Sequence, residues 1–371
     1  MDRNRDFSEY INAYEKRLIH VEPGPAVMYI ESVKGCPFSC AMCHYTGTKP
    51  RRIPRELLDK LRPSLKNLEV MAIHGQGEPL LGDLDFFVEQ AIGNGCVLHM
   101  NTTGFLLTSR VAELLARTRL SVRFSIHAGR KETYRKIMGH DLGKTKRNIT
   151  YLMELLEKSG GDHDIWFSFI VMRENVDEIG DFLHFAHDCG VHSVRFMRLI
   201  SSWHTIRGAR LEERDFTFRY FEQYNREVEN RFLSRMADHE ALARQLGIRI
   251  EWGSMGAASS RLSALRESVH NLSTMVFGKG LLPLTPIPGS CLAPWVGQPV
   301  IGQDGTVRLC CQTTYVIGNI NESSMEEIWN SERMKDVRRA FARGHNPRAC
   351  GYCGGFHFAN YPNNAFKGVS R

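Results

Sequence analysis

No stretch of this chain is apolar for the ~20 residues that a helix needs to cross a bilayer. The first ten residues, MDRNRDFSEY, are charged and hold no apolar core of signal-peptide length. No membrane partner is expected, and the protein reads as cytoplasmic. A long Lys/Arg block is also missing. The formal charge is +7, from 48 Lys+Arg against 41 Asp+Glu, and the positives are scattered. The concentrated basic stripe of a nucleic-acid binder is absent, so no nucleic-acid partner is expected. The remaining bulk numbers are ordinary. The 371 residues are 42% hydrophobic and 24% charged, enough for one large α/β domain and a smaller one.

What the chain does hold is cysteine, ten of them. In a cytoplasmic chain these argue for metal or redox chemistry rather than disulfides. Cys96 and Cys189 read as buried hydrophobes, in a strand and at a helix end. Three others, Cys36, Cys40 and Cys43, are spaced C-x3-C-x2-C in SVKGCPFSCAMCHY. Soft thiolates select zinc, copper(I) or iron–sulfur. Three thiolates hold three corners of a cubic iron–sulfur cluster and leave the fourth iron open for catalysis. Zinc completed by His44 is the alternative, although structural zinc usually takes ligands from two separated pairs.

The run Ala26–Val33 before these cysteines reads as a strand. Further strands are expected at Glu69–Ile73, Val97–Asn101, Ser121–Ile126, Ile165–Met172 and Ser193–Leu199. Helical periodicity falls between them, at Asp83–Ile92, Glu132–Met138, Lys144–Lys158 and Val176–Cys189. Six strands alternating with helices imply an α/β fold with a parallel sheet and right-handed crossovers. The cysteines then lie on the C-terminal rim, where α/β barrels place their chemistry.

The cysteine motif after a first strand resembles the radical S-adenosylmethionine (SAM) superfamily. The resemblance implies a partial (β/α)6 TIM-like barrel. It implies that the open iron chelates SAM, and that one electron cleaves SAM to methionine and a 5′-deoxyadenosyl radical. Met42 stands where the family often has an aromatic residue near the adenine. Gly75-Gln76-Gly77-Glu78-Pro79 is similar to the family's G-G-E-P segment, which contacts the SAM amino group. Asn101 and Thr102 fall at a stretch near the ribose, and Ser125 at one that holds the methionine carboxylate. His127 replaces a usual Asp; it is a candidate base, or a hydrogen-bonded loop histidine. Arg195 and Arg198 lie three apart and face opposite sides of their strand. Arg198, nearer the rim, is expected to point into the barrel.

Residues 211–246 read as helical and charged, Ile248–Trp252 as a possible strand, and 253–290 as loop. Then the cysteines return. Cys291 precedes an expected hairpin, Pro299–Ile301 with Thr306–Cys310, and a helix at Met325–Arg339 capped from Asn321, Ser323 or Ser324. Cys350 and Cys353 follow. This stretch resembles the SPASM/twitch extension, a small α+β domain, and its short twitch form in particular. Cys291, Cys310 (or Cys311), Cys350 and Cys353 would close an auxiliary four-iron cluster, with zinc as the alternative. The expected organisation is a helical extension over 1–25, the barrel over 26–205, a connection over 206–287 and the auxiliary domain over 288–371.

The resemblance therefore implies two [4Fe–4S] clusters, SAM, and an external one-electron reductant such as flavodoxin or ferredoxin. The expected reaction is two-electron oxidation of a small polar substrate, such as a sugar or aminocyclitol. His127 and Arg198 are its candidate proton-handling residues. The alternatives are redox-neutral epimerisation, with Cys311 as hydrogen donor, and peptide modification.

Overall fold

The computed structural model describes residues 8–199, 218–252 and 291–344, apart from 23, 44, 292 and 312, together with 347 and 350. The expected ligand Cys353 and the zinc alternative His44 lie outside the described residues. No helix among the described residues is long and apolar enough to cross a membrane.

After helix α1 (Ser8–Glu15), strand β1 (Val27–Ile30) opens the sheet. A two-residue hairpin, β2 (Val33–Lys34) and β3 (Arg51–Arg52), brackets the cysteine loop. The remaining barrel elements are α2 (Arg55–Leu61), β4 (Val70–Ile73), α3 (Leu84–Asn94), β5 (Val97–Thr102), α4 (Ser109–Leu115), β6 (Leu120–Ser125), α5 (Lys131–Met138), α6 (Leu142–Ser159), β7 (Asp164–Val171), α7 (Ile179–Asp188), β8 (Ser193–Arg198) and β9 (Arg249–Glu251). From β1 through β9 every neighbouring pair in this sheet is parallel. The sequence boundaries hold to within about three residues, the usual fraying of element ends.

Alternation sorts the two faces. Phe124, Phe167, Phe169 and Phe196 turn outward under the helices and are fully buried. The Phe182 ring of α7 lies 4.7 Å from Phe169 and 5.7 Å from Phe196. The other face carries Tyr29, His99, Ser121, Arg123, Asp164 and Arg195 around the lumen. A parallel sheet covered by helices outside and polar inside is a ligand-bearing barrel, not a filled one.

The auxiliary segment does not stand apart from this sheet. Strand β10 (Val300–Ile301) pairs parallel with β1, placing Tyr29 beside Val300. Strand β11 (Thr306–Arg308) and strand β12 (Val316–Asn319) follow antiparallel, so ten strands run continuously. The expected helix at Met325–Arg339 is two helices, Met325–Trp329 and Glu332–Ala342. Each takes its own serine cap: Ser324 makes a capping box with Glu327, and Ser331 accepts from the Met334 N–H.

A buried arginine ties these parts together. Arg338 donates to the Pro294 carbonyl at 2.8 Å, the Ile19 carbonyl at 3.0 Å and Asn330 Oδ1 at 3.0 Å. Its guanidinium lies 4.8 Å from the Trp329 ring centroid, and burial lowers its pKa to about 9. Arg338→Met keeps the packing but strands the buried Pro294 carbonyl and the part-buried Ile19 carbonyl, while Asn330 Oδ1 keeps the Val21 N–H. The expected loss is about 3 kcal/mol of stability, measured by denaturant melts. A loss below about 1 kcal/mol would show that water replaces the guanidinium there.

Candidate active site

The cysteine loop folds back onto the C-terminal end of α5. Ala41 N–H donates to the Ile137 carbonyl at 2.7 Å, and Cys40 Sγ approaches the Met138 carbonyl at 3.5 Å. Gly139 has φ +77, and a Cβ there would sit 2.1 Å from Ser39 Oγ. Within the loop, Thr46 Oγ1 donates to the Cys40 carbonyl at 2.6 Å, and Gly47 N–H to the Phe38 carbonyl at 2.9 Å. All three loop cysteines are half-buried. The backbone thus presents the thiols on a fixed turn rather than a loose one.

The Gly75–Pro79 segment packs directly on that loop. Gly35 N–H donates to the Gln76 carbonyl at 2.8 Å, and Gly35 bridges Gly77 in parallel. A Cβ on Gly77 would meet the carbonyl oxygens of Gly35 at 2.5 Å and Val33 at 2.7 Å. Only glycine allows this approach. Gly75 has φ +151 and faces the Glu31 side chain.

Glu78 is 3% exposed. Its carboxylate accepts from Thr102 Oγ1 at 2.5 Å, Thr103 N–H at 3.2 Å, Leu80 N–H at 3.2 Å and Thr103 Oγ1 at 3.4 Å. Burial still raises its pKa against those bonds. Burial also pushes the Cys36 thiol up to about 11, with Glu78 and Cys43 adding to it. These groups therefore share one neighbourhood. Its chemistry, soft thiolates beside a buried carboxylate in a glycine-lined cradle, fits an iron–sulfur cluster and a ligand ammonium. Among the described residues no three side chains converge on a single ion. A cubic cluster does not require that, since each thiolate takes a different iron.

The other expected residues divide. Thr102 buttresses Glu78 instead of facing the rim, and Thr103, which was not singled out, does the same. Asn101 is exposed at the end of β5, and Ser125 lies on the inner face of β6 beside Ser168. Met42 packs on the core, and its carbonyl accepts from the Tyr220 hydroxyl at 2.5 Å. His127 does not present a free base. It is 4% exposed, its Nδ1 accepts from the Ile170 N–H at 3.2 Å, and burial lowers its pKa to about 4. It takes the loop-histidine role. Arg198 is a second correction: it shares the outer face with Phe196 and ion-pairs with Glu229 of the helix Arg226–Ser234. Arg195 takes the lumen, paired with Glu251.

Cys291 is buried and its Sγ accepts from the Ala293 N–H at 3.3 Å. Cys310 is buried, Cys311 exposed and Cys350 half-buried. Both Cys310 and Cys311 help raise the pKa of Tyr29, whose own burial raises it most. The auxiliary hairpin thus brings two thiols towards the lumen face of β1. Glu31 and Arg308 form an ion pair across the same seam. Beside it a cavity of about 550 Å³ opens between Gln76, Lys34, Arg51 and the β10–β11 turn.

A polar string in the lumen was also not singled out. Tyr29 and His74 meet edge to face at 4.6 Å, and His74 and His99 at 5.8 Å. His99 Nδ1 lies 3.0 Å from Ser121 Oγ, which donates to Asp164 at 3.2 Å. The strict alternation in VLHMNT and LSVRFS is the signal that could have found it. Burial depresses His74, His127 and His140 to about 4, with the Arg123 charge adding to the effect at His74. The folded state then binds fewer protons than the unfolded chain between that value and the ordinary 6.5. Stability is held above about pH 6.5 and lost as pH falls towards 4. Cluster-free protein is expected to lose about 2 kcal/mol per histidine between pH 7 and 5, read by denaturant melts. A flat profile would mean that these rings reach water.

Known proteins match both halves of this picture. The model of the radical SAM superfamily matches residues 30–186, and that of the SPASM iron–sulfur cluster-binding domain residues 291–354. SuiB of Streptococcus suis bound to S-adenosylmethionine superposes with a TM-score of 0.61 at 12% identity, covering 90% of this chain and 72% of that one. Native anSMEcpe with bound AdoMet superposes with a TM-score of 0.58 at 18% identity, covering 92% and 90%. A probable GTP 3′,8-cyclase of Saccharolobus islandicus is 27% identical over 170 residues, 44% of this chain. The chain spans about half, 54%, of that curated relative's length. With the cysteine loop, the Glu78 cradle and the auxiliary hairpin in place, the chain belongs to the radical SAM superfamily, carries a SPASM-type iron–sulfur domain, and uses a [4Fe–4S] cluster and SAM.

Proposed function

We propose that this radical SAM enzyme modifies a peptide, by a net two-electron oxidation. The observation that carries the reading is the seam between barrel and auxiliary hairpin. There β10 extends the barrel sheet, the Cys310 and Cys311 thiols act on the titration of Tyr29, and the cavity of about 550 Å³ beside the Glu31–Arg308 pair has room for a few residues of extended chain. Two fold relatives support it: SuiB bound to precursor peptide SuiA, and anSMEcpe bound to the Cp18Cys peptide. The sugar or aminocyclitol expected from the sequence has no comparable support.

When bound, the cluster and SAM would supply a 5′-deoxyadenosyl radical to take one hydrogen atom, the auxiliary iron–sulfur site would accept the remaining electron, and solvent would take the proton released with it. The chain's own residues bind and orient. Cys36, Cys40 and Cys43 hold the first cluster. Glu78, fixed by Thr102 and Thr103, takes the SAM amino group. Gly75, Gln76 and Gly77 give it a close backbone wall. Ser125 takes the carboxylate, and Met42 and Asn101 flank the nucleoside. Cys291, Cys310, Cys350 and Cys353 hold the auxiliary site. Tyr29, neutral at the lumen wall, stays protonated and donates a hydrogen bond to substrate. An external one-electron reductant starts each turnover.

The test is anaerobic incubation of the reconstituted protein with SAM, a strong reductant and a peptide library, beside a panel of sugars and aminocyclitols. A peptide product two mass units lighter, with no solvent deuterium, is expected. Oxidation of a sugar alone would overturn the peptide reading. An isobaric product carrying one solvent deuterium would make the reaction an epimerisation, with Cys311 as the thiol donor.

A further inference from the structure

One charged group in the lumen has no role in the site described above. Arg123 stands on β6 one pleat below Ser125, on the lumen face, and its charge acts on Tyr29 and His74. The acids whose charge it feels are Asp164 and Glu251, and both are already engaged. Asp164 accepts from Trp166 Nε1 and from Ser121 Oγ, and Glu251 from Arg195. Arg123 makes no ion pair among the described residues, and its Nη1 is cut off from solvent without a hydrogen-bond partner. Its guanidinium packs 5.6 Å from the Trp166 ring, which also meets Arg195 at 5.6 Å and Arg249 at 4.4 Å.

Holding a partly buried cation without a counter-ion costs stability, and Arg123, unlike Arg338, donates to no carbonyl or amide oxygen among the described residues. Burial and the Arg195 charge lower its pKa only to about 10, so it stays charged near neutrality. Burial keeps His74 and His99 neutral, and the Arg123 charge adds to it. Besides the paired Arg195, the lumen therefore offers the Arg123 cation, two neutral rings and the Tyr29 hydroxyl, with no acid to spare. That is the complement of an oxyanion.

We propose that Arg123, with Tyr29 and His74 beside it, forms an anion subsite in the barrel lumen that anchors a carboxylate or phosphate group of the substrate below the SAM site. It deepens the peptide reading: the substrate would carry an acidic or phosphorylated side chain close to the carbon that reacts.

Calorimetric titration of the reconstituted, SAM-saturated protein tests it. N-acetylaspartate amide probes the carboxylate source, inorganic phosphate the phosphate source, and N-acetylasparagine amide is the neutral control. One of the two anions is expected to bind and the control is not. Arg123→Met is expected to weaken that binding ~tenfold or more, and Arg123→Lys to keep part of it. Arg123→Met is also expected to bind SAM normally and to melt no lower than wild type. The proposal is overturned if neither anion binds wild type, or if Arg123→Met binds as tightly. It is equally overturned if Arg123→Met melts well below wild type with anion binding unchanged, since Arg123 is then a structural partner of Asp164 and Glu251. Arg123-dependent anion binding without any peptide oxidation would sink the peptide reading and leave the subsite standing. Peptide oxidation indifferent to Arg123→Met would do the reverse.

Discussion

Gly77→Ala is expected to cut 5′-deoxyadenosine formation ~100-fold or more. The new Cβ would lie 2.5 Å from the Gly35 carbonyl oxygen and 2.7 Å from that of Val33. Both are backbone atoms, so no side chain can swing aside. Either the Gly75–Pro79 segment moves off the cysteine loop or the loop moves off β1. Glu78 and Cys36 then separate, and the distance between the bound SAM and its cluster changes. A shift of about 1 Å is enough for a loss of this size. Gly24 has nothing within 4 Å of a built Cβ. Gly24→Ala is the control and should be silent. The measurement is 5′-deoxyadenosine per chain over time, with iron content beside it. Full activity in Gly77→Ala would show that the close approach is incidental to SAM cleavage.

Replacing Cys36, Cys40 and Cys43 together by alanine is expected to end SAM cleavage and remove about half of the iron. Intact reconstituted protein should hold about eight irons, as two four-iron clusters on thiolates. The variant should keep about four, all on the auxiliary site. The same assay separates two adjacent thiols. Cys310 is 5% exposed and Cys311 is on the surface. Cys310→Ala should lose the auxiliary iron and Cys311→Ala should keep it. Stoichiometric zinc in the intact protein, with half the expected iron, would reject an auxiliary iron–sulfur cluster. Iron retained in the triple variant at full load would reject the loop cysteines as ligands.

The strands and helices of the barrel could be read directly from the chain. Runs such as VLHMNT and DIWFSFIV have strand periodicity, and Lys144–Lys158 has that of a helix; both are local properties of a few neighbouring residues. The cysteine loop was equally legible, because its ligands lie within eight positions, from 36 to 43. The face of Arg198 was legible too, although its place near the rim pointed the other way. It stands two residues after Phe196 and so shares the face that packs on Phe182. Its charge escapes that apolar surface by reaching Glu229 and Tyr224 at the strand end.

Other features depended on pieces of chain far apart. Thr102 looked like a ligand contact because of where its strand ends; the fold brings Glu78 within 2.5 Å of it and makes it a buttress. The auxiliary hairpin looked like a separate small domain because its own pattern is complete. The Glu31–Arg308 ion pair crosses the seam, and backbone pairing between Tyr29 and Val300 makes the sheet continuous with the barrel. Such hydrogen bonds carry no side-chain signature, so no residue type announces them. Arg123 reads as one polar position in an alternating strand, and only the closed circle of its neighbours shows that every acid nearby is already spent. The sequence by itself determined the alternation of parallel strands and helices, through local periodicity, and set out the candidate cluster ligands by spacing and the candidate SAM-facing segment by resemblance. Which side chains share the lumen, and the seam at which the auxiliary thiols approach it, were decided by non-local strand register, and only the tertiary structure holds that.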